Sequence, residues 1–167
     1  MLEIAKVTDR IITDLYRNNS HMLGKFRSAQ TKKPYDCPEL VLYLVKNIEQ
    51  ENVKLEEEII VPIFYAVVAY SLAQQSKPDM QNERGITFGT LVGKVDRAKV
   101  FKMIQSRREL DRKMSYIYQV IRLSKVNGRG AKLDFGKLAE DLYKLQKDNT
   151  VLTQWVLDSV VAKNEGK

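Results

Sequence analysis

The chain holds one cysteine, one histidine, one tryptophan and four prolines among its 167 residues. The lone cysteine, Cys37, excludes an internal disulfide and suits a reducing compartment. The lone histidine, His21, has no partner at metal-ligand spacing, so no zinc-type constellation forms. A Cys37–His21 nucleophile pair is formally possible, but Cys37 stands between loop residues and Pro38, and nothing beside it offers an oxyanion hole. Glu56-Glu57-Glu58 carries the acids that recruit Mg²⁺ in some nucleases. Consecutive residues, however, point around a helix in different directions, and acids in a first turn are favoured by the helix dipole. Gly85 and Gly89 are not followed by Gly-Lys-Ser/Thr, so they make no phosphate loop. The expectation is a protein without catalysis, cofactor or metal.

Long apolar runs are also missing. The longest, Ile59 to Tyr70, contains Pro62 and falls short of the roughly 18 residues that a membrane span needs. The N-terminus opens on an amphipathic pattern instead of a charged start and an apolar block, so no signal peptide is expected. The reading is cytoplasmic. Asn18-Asn19-Ser20, a glycosylation sequon by spacing, would then stay unmodified.

What is present is helical periodicity. Ile4, Val7, Ile11 and Leu15 form one stripe over residues 2–17, and Asn18-Asn19-Ser20 ends it. A short helix from Ser20 to about Gln30 turns Met22, Leu23 and Phe26 inward. Prolines 34 and 38 make 31–38 a loop, and Glu39 to about Ile48 is helical again. The segment from Leu55 is apolar on most sides and reads as the central helix; a buried strand over Ile59–Val61 is the competing reading. Residues 74–84 are polar and contain Pro78, an exposed connection. A short helix or turn follows Gly85. Asp96 reads as the N-cap of a helix to Gln105, and a long helix covers 107–126. Asn127-Gly128-Arg129-Gly130 is a helix stop and loop. Asp134 caps a helix with Leu138, Leu142 and Leu145 inward, and Asp148-Asn149-Thr150 caps the last, which carries Trp155. The predicted fold is all-α, a compact bundle of about eight or nine helices in one domain. Two lobes, 1–76 and 85–162, are possible within it.

Charge is distributed unevenly. Up to Arg84 there are 11 Lys+Arg against 12 Asp+Glu; from Gly85 on there are 17 against 9. The whole net charge of +7 thus comes from the second half, a pattern that suits a polyanionic partner. In the long helix Leu110, Met114, Ile117 and Ile121 share one face at roughly 100° per residue, and Arg108, Arg112, Ser115, Gln119 and Arg122 fall opposite. Lys94, Arg97, Lys99, Lys102, Arg107, Lys113, Lys125, Arg129 and Lys132 lie near them in sequence. Cations set against phosphates give salt-sensitive, sequence-independent binding. Tyr116 and Tyr118 can stack on unpaired bases or pack as rim and core residues. No helix-turn-helix reader with base-reading residues stands out. The alternative is a scaffold whose basic face meets acidic protein surfaces.

Several motifs in fixed order carry a resemblance. They are Gly85-Ile86-Thr87-Phe88-Gly89 with Leu91, then Arg97-x-x-x-Phe101-x-x-x-Gln105-x-x-Arg108, the helix from Leu110 to Arg122, Leu133-Asp134-Phe135-x-x-Leu138, and Trp155. This order resembles the CasB family, the small subunit of the type I-E CRISPR surveillance complex, Cascade. Phe135 stands where the family shows tryptophan, and the 127–130 loop is longer. The resemblance is fullest in the second half; in the first it is limited to Leu23–Arg27 and Pro38–Tyr43. It implies a non-catalytic role beside the backbone and large subunits and the crRNA. Two copies would sit in each complex, binding the displaced strand of target DNA and so holding the R-loop open in antiviral defence. Arg27, Arg97, Arg108 and Arg122 are the family-like cations. Local geometry adds Lys25, Lys99, Lys102, Arg107, Arg112, Lys125 and Arg129.

Overall fold

In the computed structural model, residues 2–51, 54–73, 83–126 and 132–165 are described. The first helix, α1 (Leu2–Arg17), buries Ile4, Val7, Ile11, Ile12 and Leu15, the stripe that its period predicts. A short α2 (His21–Ser28) follows and runs into two 3₁₀ turns, Ala29–Thr31 and Pro34–Asp36. Helix α3 (Pro38–Glu49) starts on Pro38, whose missing N–H is no loss in a first turn.

Helix α4 (Glu57–Ala73) is the centre, with every residue from Pro62 to Ala73 buried. The strand reading for Ile59–Val61 falls: an apolar run this long is satisfied by a helix that is covered on all sides. Pro62 lies inside α4 and cannot donate to the Glu58 carbonyl one turn earlier. The side-chain amide of Gln146 donates to that carbonyl instead, so the gap in the helix is filled from elsewhere in the chain. Helix α4 packs on α1, α2 and α3, and on two later helices, α7 (Leu110–Val126) and α8 (Phe135–Leu145). Phe26 meets Phe64, and Tyr70 meets Phe135 edge-on at 5.4 Å between ring centres. The buried apolar side chains form one cluster with members from Ile4 to Trp155.

Asp134 does more than cap α8. One carboxylate oxygen accepts from the Lys137 N–H at 2.9 Å and the other from the Gly85 N–H at 2.9 Å. The backbone N–H of Asp134 in turn donates to the Ile86 carbonyl at 2.8 Å. Gly85 has φ +85°, a conformation that favours glycine.

Helix α5 (Phe88–Val95) lies directly against α9 (Val151–Glu165). A Cβ on Gly89 would stand 2.3 Å from the Trp155 carbonyl oxygen, and one on Gly93 2.2 Å from that of Ser159. The glycine spacing of four residues puts both on one helix face, so the two backbones touch. Phe88 packs on Trp155 at 4.9 Å, and the indole N–H donates to Asp141 at 3.0 Å. Asp141 is buried and paired with Lys137 at 2.9 Å.

Two expectations need correction. Asp96 is not the N-cap of the next helix: it closes α5 in the left-handed conformation, φ 54°, and Lys99 precedes α6 (Val100–Ser106). Asp tolerates that conformation better than most residues, so the same residue type suits either role. Residues 107–109 are not helical; α7 begins at Leu110. Among the described residues there are nine α-helices and no strand, and no helix is long and apolar enough to cross a membrane. The loop predicted at 127–130 and most of the polar connection at 74–84 lie outside the described residues.

Candidate nucleic-acid interface

Helix α7 buries Leu110, Met114, Ile117 and Ile121 and exposes Arg112, Ser115, Gln119 and Arg122, as its period requires. The two 3₁₀ turns of residues 29–36 face the first half of this outer side. Between them lies a cleft of about 490 Å³, bordered by Gln30, Lys32, Tyr35, Arg107, Arg112 and Tyr116. The guanidinium of Arg107 stands 5.7 Å from the centre of the Tyr116 ring and donates to its hydroxyl from Nη2 at 2.8 Å. Arg122 donates to the side-chain oxygen of Gln30, tying α7 to the facing turn.

Two carboxylates also line the cleft, and Lys33 engages both. Its backbone N–H donates to Asp36 at 3.2 Å, and its ammonium lies 3.8 Å from Asp111. The same ammonium sits 5.6 Å from the centre of the Tyr35 ring. Lys32 and Arg112 are exposed and have no carboxylate within ion-pair distance among the described residues. The cleft therefore presents unneutralised cations beside aromatic rings.

The other expected cations are distributed as follows. Arg108 opens on a neighbouring, more apolar cleft of about 660 Å³, walled by Pro34, Val41, Ile60, Val61 and Leu110; Lys33 and Tyr35 border both clefts. Lys102 opens on a third cleft, between α6 and α9, that shares no lining residue with the first. Arg97 and Lys99 are exposed in the α5–α6 connection. Lys25 pairs with Glu39 at 2.6 Å, and the Arg27 Nε–H donates to the Ser71 carbonyl at 3.1 Å, fixing α2 to α4. The side chain of Lys125 and all of Arg129 lie outside the described residues. The structure thus gathers Arg107 and Arg112, adds Arg122 through Gln30, and sets Arg108 next door. It does not bring Lys102 into that group.

Lys113 is a correction. It is buried, not part of a basic surface, and its ammonium donates to the Ile104 carbonyl at 2.8 Å and to the Asn149 side chain at 3.1 Å. Burial pushes its pKa below the ordinary lysine value. The signal was in the spacing, since Lys113 precedes Ile117 by four residues and so shares its face. Tyr118 is buried as well, whereas Tyr116 is half-buried at the cleft edge. Lys32, Lys33 and Tyr35 also line the cleft, which the sequence reading does not anticipate; two adjacent cations beside an aromatic are the available cue.

The competing chemistry finds little support. Cys37 is buried, which pushes its thiol pKa up and away from a nucleophilic thiolate. Glu57 and Glu58 are exposed in the first turn of α4, and Glu56 pairs with Lys54 at 2.8 Å.

No curated protein sequence matches the chain. The crystal structure of CasB from Thermobifida fusca superposes with a TM-score of 0.69 over 93% of this chain and 94% of that one, at 18% identity, a likeness of fold. The family model for the CRISPR-associated protein Cse2 matches residues 23–158, from α2 into α9, and so spans both the central helix and the cleft. That match covers well over half of the sequence, and the chain belongs to the CRISPR-associated Cse2 (CasB) family.

Proposed function

We propose that the chain is a non-catalytic subunit of a crRNA-guided type I-E Cascade complex in the cytoplasm. It sits there beside the backbone and large subunits and a second copy of itself. Its basic side holds the displaced strand of target DNA without regard to sequence and so favours the open R-loop. The observation that carries this reading is the pair of unneutralised cations, Lys32 and Arg112, flanking a cleft in which Tyr116 orients Arg107 and whose Gln30 holds Arg122. Base pairing with a guide supplies sequence recognition in such systems, so the protein need only track a backbone. Each cation placed on a phosphate releases counterions, which favours binding most at low salt.

The test is titration of labelled single-stranded DNA with the purified chain across a salt series. Reversing charge at Arg112 and Arg122 together is expected to lower affinity about 100-fold at low salt. The salt slope should also become shallower by about 1.4, at roughly 0.7 per phosphate contact. Affinity and slope that ignore both reversals would transfer the basic side to the second reading, contact with acidic surfaces of neighbouring subunits.

A further inference from the structure

We infer that the cleft between residues 29–36 and the start of α7 takes one unstacked nucleotide of the bound strand, its phosphate at Lys32 and Arg112 and its base against Tyr35. The inference rests on the strand-binding reading and goes beyond it, because a protein that only tracks phosphates needs neither a cleft nor an exposed ring at this place.

Two observations meet here. The volume of about 490 Å³ falls within the range of small-ligand pockets, about 300–1,000 Å³. The ring of Tyr35 is 74% exposed on the rim, held by a short 3₁₀ turn and flanked by the Lys33 ammonium. An apolar face so open to water is a platform for base stacking, which every base can use.

Charge placement orients the occupant. Asp36 and Asp111 would repel a phosphate, but the Lys33 ammonium lies 3.8 Å from Asp111, and Lys32, Lys33, Arg107 and Arg112 outnumber the two carboxylates in the lining. Lys32 and Arg112 remain as the exposed anion-binding groups. A phosphate at these two and a base on the Tyr35 side uses each part of the lining for the chemistry it offers.

The experiment compares two probes of about sixteen nucleotides, oligothymidylate and an abasic sugar–phosphate chain of the same length, binding to the purified full chain. The base-bearing probe is expected to bind about tenfold more tightly. Tyr35→Ala should remove that preference and leave the affinity for the abasic probe unchanged. Equal binding of the two probes overturns the nucleotide cleft and leaves phosphate tracking intact, and so does a preference that survives Tyr35→Ala undiminished. Binding of neither probe removes the strand-binding reading and the cleft with it.

Discussion

Helices α7 and α9 are of similar length, and each buries one stripe, yet their outer faces are opposites. Helix α7 shows water Arg112, Ser115, Gln119 and Arg122. Helix α9 shows it Val156, Leu157, Val160 and Val161, each at least 40% exposed. The inward stripes are of one kind: Leu110, Met114, Ile117 and Ile121 in α7, and Val151, Leu152, Trp155 and Ala162 in α9. Folding alone therefore does not dictate the outer face. The rule that apolar residues go inside runs one way only. Helix α9 is apolar on most sides, and its orientation is selected by the glycine face of α5 and by the Trp155–Asp141 hydrogen bond.

The contrast can be broken first at Trp155. Trp155→Ala empties the fully buried indole site and leaves Asp141 without its indole donor. A loss of about 3–5 kcal/mol in denaturant unfolding is expected. Next comes the glycine face. Gly93→Ala sets a methyl against the Ser159 backbone, which cannot yield as a flexible side chain would, and a loss of about 2 kcal/mol is expected by the same measurement. The smallest effect sharpens the comparison from the outside. Leu157→Ser with Val161→Ser changes only the outer face of α9, so the stability of the isolated chain should stay within about 0.5 kcal/mol.

Much of the fold was legible because each helix obeys one period. The α1 stripe, the inward leucines of α8 and the Asp134 cap needed only spacing and capping chemistry. Local signals failed where one residue type serves two ends. Asp96 suits an N-cap and also tolerates the left-handed closure of α5. Composition misled at Lys113, because charge was weighed above register. The candidate site was half visible. The arginines of α7 follow from its period, but the cleft exists only because the chain folds Lys32 and Tyr35 over Arg107 and Arg112. No local pattern encodes a meeting of segments so far apart in sequence. The Gly89–Gly93 seam was readable as a four-residue spacing, yet the partner backbone that gives it meaning lies in α9.

The interior ammonium of Lys113 has a mechanical consequence. It grips the last turn of α6 through the Ile104 carbonyl and the approach to α9 through Asn149. Arg107 and Arg108 leave α6 directly from that anchorage. One buried ammonium on α7 thus ties the end of α6, where the arginine turn begins, to the residues that lead into α9.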